Sequence, residues 1–162
     1  MIVRIHYKDI LRIFREEGCG VDCSSEVELI MAEREGFRGG DIMFSANAMP
    51  PEEYTHARAL GAIVNLDDLT DIDLLRTHGG IPEEICLRFN PGGDFRLGTD
   101  IMGQPGEAKY GMTREQLSQA LALLKNEGVT AFGLHAFLAS NTTDDRYYPT
   151  LAEMLFALGR EL

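Results

Sequence analysis

Residues 20–44 read GVDCSSEVELIMAEREGFRGGDIMF, and the pattern in this stretch decides the fold. It opens on the short run Gly20-Val21-Asp22-Cys23 and closes on a second, Asp41-Ile42-Met43-Phe44. Between the two, Val27, Leu29, Ile30 and Met31 recur at helical spacing. Ser25 and Glu28 have the spacing of a capping box at the start of that helix, and Gly36 can take the left-handed conformation that closes its end. A strand, a helix and a second strand joined this tightly make a parallel pair with a helical crossover.

The same unit recurs outward along the chain. Further apolar runs occupy Ala62-Ile63-Val64-Asn65, Ile85-Cys86-Leu87-Arg88-Phe89 and Ala131-Phe132-Gly133-Leu134-His135. The first four runs lie about 20 residues apart, as a short strand, a short helix and their loops require. Helical periodicity returns at Tyr54, Ala57 and Leu60 and at Ile72, Leu74 and Leu75. Gly18, Gly61, Gly79 and Gly128 stand where helices stop, Thr113-x-x-Gln116 repeats the capping-box spacing, and Pro50-Pro51-Glu52-Glu53 suits a first helical turn. The expectation is an α/β fold of about six βα units with parallel strands, the first strand in Met1–His6 and the last helix in Tyr148–Leu162. The connection from Asn90 to Met112 breaks the rhythm with six glycines and two prolines, and a long loop at the carboxyl end of a strand is commonly functional.

Composition narrows the class. With 162 residues, 44% hydrophobic and 25% charged, the chain is too apolar for disorder. Its three cysteines, Cys19, Cys23 and Cys86, are too few for a secreted disulfide scaffold and lack zinc-ribbon or thioredoxin spacing. Fifteen basic side chains against twenty-six acidic ones give a formal charge of −11, which opposes affinity for nucleic acid or anionic lipid. The amino-terminal MIVRIHYKDI has too short an apolar run for a signal peptide, and no later run suits a membrane span. A cytoplasmic protein with free thiols is expected, with neither nucleic acid nor membrane as a partner.

In parallel α/β folds, ligands bind outside the carboxyl ends of the strands, where loops and helix N-termini gather. The residues expected there are Asp22, Cys23, Ser24 and Ser25, then Ser45 and Asn47, then Asn65, Asp67 and Asp68, then Arg88 and Asn90, and finally His135 to Asn141. Ser25, Asn47, Asp67 and Asp68 are equally residues that cap the following helices. Arg88 ends an interior strand, so its guanidinium needs an anionic partner, which Asp22 or Asp67 can supply. His135 shares a strand face with Gly133 and Phe137, and a lone histidine there also fits a satisfied interior group. No metal-ligand spacing, Walker loop or nucleophile elbow is present in the sequence.

Several segments in order resemble the fold-type III pyridoxal-phosphate decarboxylases, most closely the diaminopimelate decarboxylase family. They are EEGCGVDCSSEVEL at 16–29, DIMFSANAMPPEEYTHARALG at 41–61, AIVNLDD at 62–68, CLRFNPGG at 86–93, AKYGMT at 108–113 and FGLHAFLASNT at 132–142. The resemblance implies a partial (β/α)8 TIM-type barrel, with 1–162 as an incomplete pyridoxal-phosphate-binding, alanine-racemase-like barrel domain and the family's carboxyl-terminal β-domain absent. It implies pyridoxal phosphate as cofactor and decarboxylation of an amino-acid substrate, in lysine biosynthesis. By position, Asp22 and Glu28 match acidic residues near the cofactor and its lysine, Arg88 the arginine after the fifth strand, and Lys109 the substrate-side lysine of a K-[FY]-G motif. His135, Phe137 and Ser140 fall in the family's G-x-H-x-H-x-G-S segment, where the second histidine stacks on the pyridine ring and the serine helps hold the phosphate. Here that stacking position is Phe137, which offers an aromatic face but no exchangeable proton. The lysine that forms the Schiff base would fall near Val3 or Arg4, and neither can form it. The chain is therefore expected to be truncated, with no secure catalytic residue and no activity alone. Alternatives are another fold-type III enzyme, such as another amino-acid decarboxylase or an alanine racemase, and a non-catalytic partial barrel acting as an oligomerisation or regulatory module. Either a homo-oligomer or pairing with another chain would cover the open strand edges.

Overall fold

The computed structural model describes residues 2–3, 8–47, 49–94, 110–140 and 142–162, and among these strand alternates with helix. The strands are β1 (Ile2–Val3), β2 (Gly20–Cys23), β3 (Ile42–Phe44), β4 (Ile63–Leu66), β5 (Glu84–Arg88) and β6 (Ala131–His135). The helices are α1 (Lys8–Glu16), α2 (Glu26–Arg34), α3 (Pro51–Ala59), α4 (Asp71–His78), α5 (Arg114–Asn126) and α6 (Tyr147–Glu161). Every described strand pairing is parallel, and the order in the sheet is the order in the sequence. That order has no reversal, so right-handed crossovers carry every helix to the same face. This is the progression of a (β/α)8 barrel, distinct from a doubly wound sheet, which reverses and takes helices on both faces.

The register sorts the side chains into two sets. Asp22 pairs with Met43 and Met43 with Ile63, while Asn65 pairs with Cys86, Cys86 with Gly133, and Arg88 with His135. Because side chains alternate along a strand, these residues share the inward face. Val21, Phe44, Val64, Leu66, Ile85 and Leu87 point the other way and are buried against the helices. There Leu29, Tyr54, Leu75 and Leu124 complete a continuous core. The Tyr54 ring meets Phe44 edge to face, with centroids 6.4 Å apart and planes at 87°.

Local signals place the ends of the helices. Thr113 forms a full capping box, taking the Gln116 N–H while the Gln116 side chain takes its own. Ser25 caps α2 by accepting from the Glu28 N–H, but the Glu28 carboxylate reaches one residue further back and accepts from the Ser24 N–H and hydroxyl at 2.6 and 2.9 Å. After α4 it is Gly80, with φ 71°, that takes the left-handed conformation, where the sequence pointed to Gly79. The last helix begins at Tyr147 and ends at Glu161, one residue before the expected span at each end. All three cysteines are free. Among the described residues, no helix is long and apolar enough to cross a membrane.

Candidate functional site

The carboxyl ends of β2, β3, β5 and β6 and the loops that follow surround a cleft of about 310 Å³. Its lining is Asp22, Ser45, Asn47, Arg88, Tyr110, His135, Phe137 and Ser140. Asp22 and Ser45 are one strand apart, and the Ser45 hydroxyl donates to the Asp22 carboxylate. Arg88 closes β5 opposite His135, and the Phe89 N–H after it donates to the His135 carbonyl at 2.7 Å.

Arg88 organises one wall. Its Nη1 donates to Asp67 Oδ1 at 2.9 Å, with the two side chains 7% and 6% exposed. The choice between Asp22 and Asp67 as its partner is thus settled by register. Leu66 pairs with Leu87, which brings the next residues, Asp67 and Arg88, side by side. Nη2 lies 3.4 Å from the Phe137 carbonyl, and the guanidinium carbon sits 5.2 Å from the Tyr110 ring centroid and 5.8 Å from that of Phe137. A guanidinium this dry gains from both rings. Burial pushes the Asp67 carboxyl above its ordinary value, while Arg88 and the Gly111 N–H pull it back down. Burial also pushes the Cys86 thiol, on the inward face of the same strand, up to about 12, aided by the charge of Asp22.

Tyr110 reaches this wall because the chain returns beside β5. The Met112 N–H donates to the Arg88 carbonyl at 2.7 Å, and the Asn90 N–H donates to the Met112 carbonyl at 2.9 Å. Gly111 makes the approach possible. Its φ is 86°, and a Cβ there would stand 3.1 Å from both the Asn90 nitrogen and the Phe89 carbonyl carbon.

Asp22, Arg88, His135, Phe137 and Ser140 are therefore brought together in one cleft. Glu28 lies apart, lining a small space between β2, α1 and α2 with Leu11 and Met31, its carboxylate taken by Ser24. Lys109 lies outside the described residues, as do 95–108 of the long loop. The strand-end residues suggested as caps divide. Ser25 caps α2, Asp67 holds Arg88, Asn47 lines the cleft, and Asp68 accepts from the Thr70 N–H and hydroxyl in a turn before α4. Tyr110 was not among the expected site residues, and its position just before a glycine in a glycine-rich loop was the available signal.

The arrangement suits a flat, polar ligand. Phe137 leaves 36% of its surface exposed at the cleft, an aromatic face for stacking. On the inward face beside Ser45, Asn65 is fully buried, yet neither of its amide atoms has a hydrogen-bond partner among the described residues. An orphaned amide costs free energy unless a polar group meets it. Asn65 is not among the described residues that line the cleft; the open Phe137 face and the side chains of Ser45, Asn47 and Ser140 are what fit the stacking and hydrogen bonding of a pyridine cofactor. A covalent anchor is another matter, since none of the described residues that line the cleft is a lysine.

Comparison with known proteins agrees with this geometry. A family model described as pyridoxal-dependent decarboxylase, pyridoxal binding domain, matches residues 5–161. Protein TabA of Pseudomonas amygdali pv. tabaci is 35% identical over 132 residues, which are 82% of this chain and 30% of that protein. A diaminopimelate decarboxylase of Streptomyces coelicolor is 35% identical over 81% of this chain and 30% of its own length. That of Archaeoglobus fulgidus is 30% identical over 83% of this chain and 33% of its own. The chain thus spans about a third of the length of these curated relatives. A crystal structure of diaminopimelate decarboxylase superposes with a TM-score of 0.77 at 24% identity, covering 95% of this chain and 37% of that one. The Helicobacter pylori diaminopimelate decarboxylase complexed with L-lysine gives 0.75 at 22% identity, over 94% and 42%. Both likenesses show the fold. With its inward cleft, its unreversed parallel sheet and a match along nearly all its length, the chain belongs to the pyridoxal-binding domain family of the pyridoxal-dependent decarboxylases, whose cofactor is pyridoxal phosphate.

Proposed function

We propose that this chain is the cofactor-holding barrel portion of a pyridoxal-phosphate-dependent decarboxylase of the diaminopimelate type, and that alone it holds the cofactor without turning over substrate. The observation that carries the reading is the cleft itself, where Ser45 after β3, Arg88 at the end of β5 and Phe137 and Ser140 after β6 gather at one end of the sheet. Phe137 supplies the stacking face, and Arg88, already neutralised by Asp67, fixes the backbone carbonyl of Phe137. Asp22 and His135 present polar atoms from opposite sides. When bound, pyridoxal phosphate supplies an electron sink for the pair left behind as an α-carboxylate departs as CO₂.

The case against turnover by this chain alone rests on the two lysines among the described residues, Lys8 and Lys125, and on the first strand, since Lys109 lies outside the described residues. The sequence has three, Lys8, Lys109 and Lys125. Lys8 opens α1, 77% exposed and 4.0 Å from the Glu35 carboxylate, and Lys125 lies on α5 with its amine over the Phe132 ring at 5.8 Å. The first strand offers Val3, in register with Val21. Groups that act as a unit lose nearly all rate when one is removed. The test is to mix purified protein with pyridoxal phosphate, reduce with borohydride and digest for mass spectrometry. Cofactor-dependent quenching of tyrosine fluorescence without a borohydride-stable lysine adduct supports the reading. A stoichiometric adduct, or release of CO₂ from diaminopimelate, overturns the non-catalytic part, and absence of any binding overturns the whole.

A second observation favours self-association as a further property. The outer face of β6 and α6 forms an apolar groove of about 490 Å³ that includes Phe132, Leu134, Leu155 and Phe156, the last 70% exposed. A second copy seated there would cover the groove beside the β6 edge. Sedimentation equilibrium showing a monomer at high concentration would dismiss this arrangement.

A further inference from the structure

We infer that Tyr147 is a positioning residue for the cleft, fixing the turn that carries Phe137 and Ser140 into it. Phe137 and Ser140 line the cleft three residues apart on the connection from β6 to α6. Among its described residues no strand ladder sets its shape. Two contacts bear on the stretch from Phe137 to Ser140. On the cleft side, Arg88 Nη2 donates to the Phe137 carbonyl. On the helix side, the Tyr147 hydroxyl oxygen accepts from two successive backbone donors, the Leu138 N–H at 3.1 Å and the Ala139 N–H at 3.0 Å.

The hydroxyl is well placed for this task. Tyr147 is the first residue of α6 and is 3% exposed. Its ring packs with Ala139 and Leu151 in a small core of its own and meets the Tyr148 ring edge to face at 5.1 Å. A ring so enclosed has little freedom, so its oxygen is a fixed acceptor. Two adjacent N–H groups converging on one oxygen fix the direction of the peptide planes between Phe137 and Ser140. Those planes decide whether the Phe137 ring presents its face to the cleft and whether the Ser140 side chain points into it. Tyr147 touches no ligand in this scheme. It acts through the loop, and its link to ligand binding rests on the cofactor-holding role proposed above.

The substitution that isolates the oxygen is Tyr147→Phe, which keeps the ring and its packing. Amide hydrogen exchange on the full chain without ligand is the first readout. Exchange at Leu138 and Ala139 should accelerate about tenfold, the scale of one lost hydrogen bond, while amides of the central strands such as Leu66 and Leu87 keep wild-type protection. Unchanged exchange at Leu138 and Ala139 overturns the inference. So does a loss of protection spread evenly over the sheet, which would make Tyr147 merely structural. The second readout is equilibrium titration with pyridoxal phosphate. Several-fold weaker binding with an unshifted Tm supports the positioning role, and unchanged affinity beside a loosened loop overturns it. If the wild-type chain binds no pyridoxal phosphate, the proposed cofactor role falls, and the exchange pattern still decides whether Tyr147 sets the turn.

Discussion

Removing one member of the Arg88–Asp67 pair should cost far more than removing both. The facing atoms are 2.9 Å apart and the side chains are 7% and 6% exposed, so at an effective dielectric near 20 the gross attraction is about 6 kcal/mol. Taking each ion out of water costs several kcal/mol, and the pair as a whole comes close to break-even. Asp67→Ala keeps the desolvated guanidinium and removes its counter-charge. The Tyr110 and Phe137 rings at 5.2 and 5.8 Å return about 1–2 kcal/mol at most, so the expected loss is about 3 kcal/mol. For a chain of this size that is a drop in Tm of about 6–12 °C. Arg88→Met should cost a similar amount by orphaning Asp67. The double variant Asp67→Ala with Arg88→Met, which leaves neither charge buried without its partner, should be more stable than either single variant. Urea unfolding followed by far-UV circular dichroism measures all four proteins. A loss below about 1 kcal/mol for Asp67→Ala, or penalties that simply add in the double variant, would refute a buried and mutually dependent pair.

Other substitutions probe the frame. Gly20→Ala places a Cβ 2.8 Å from the Asp41 carbonyl oxygen, a backbone atom that cannot swing aside, so a loss of about 2 kcal/mol is expected in the same unfolding assay. Thr113→Ala removes one half of the capping box on α5 and should cost about 1 kcal/mol, read as a lower urea midpoint with an unchanged slope. Burial pushes the Cys23 and Cys86 thiols up to about 12, far above the assay pH, and the thiolate is the reactive form. At pH 8 a disulfide-exchange reagent should therefore titrate only the half-exposed Cys19 in the native protein and all three thiols in denaturant; rapid native labelling of Cys86 would contradict the packing of β5.

The sheet was readable from the sequence because short apolar runs and glycine stops fall between helical stretches, and a parallel βα repeat leaves few alternatives. Strand ends were readable for the same reason, and Asp22, Arg88, His135, Phe137 and Ser140 all reach the cleft. What the sequence left open depended on register or on long-range return. Asp22 and Asp67 were equally plausible partners for Arg88 until the pairing of Leu66 with Leu87 set Asp67 beside it. Glu28 was expected near the cofactor only from the family resemblance, and its carboxylate turns back to Ser24. Tyr110 comes back to Arg88 only through the close approach at Gly111. Tyr147 acts by a hydroxyl aimed at a loop backbone, a contact with no periodic signature.

The unreversed strand order has a consequence for how the protein can be taken apart. Asp22 and Ser45 meet across one strand pair and Arg88 and His135 across another, but the two pairs lie on opposite sides of β4, and they face one cleft only when the sheet has curled. A fragment that keeps the first three units would retain a hydroxyl and a carboxylate but no cleft. Any ligand that binds here therefore reports on the whole winding at once and stabilises it by mass action in proportion to its concentration. The cleft is in that sense a seal across the open mouth of the sheet, present only when the chain has been wound far enough to need one.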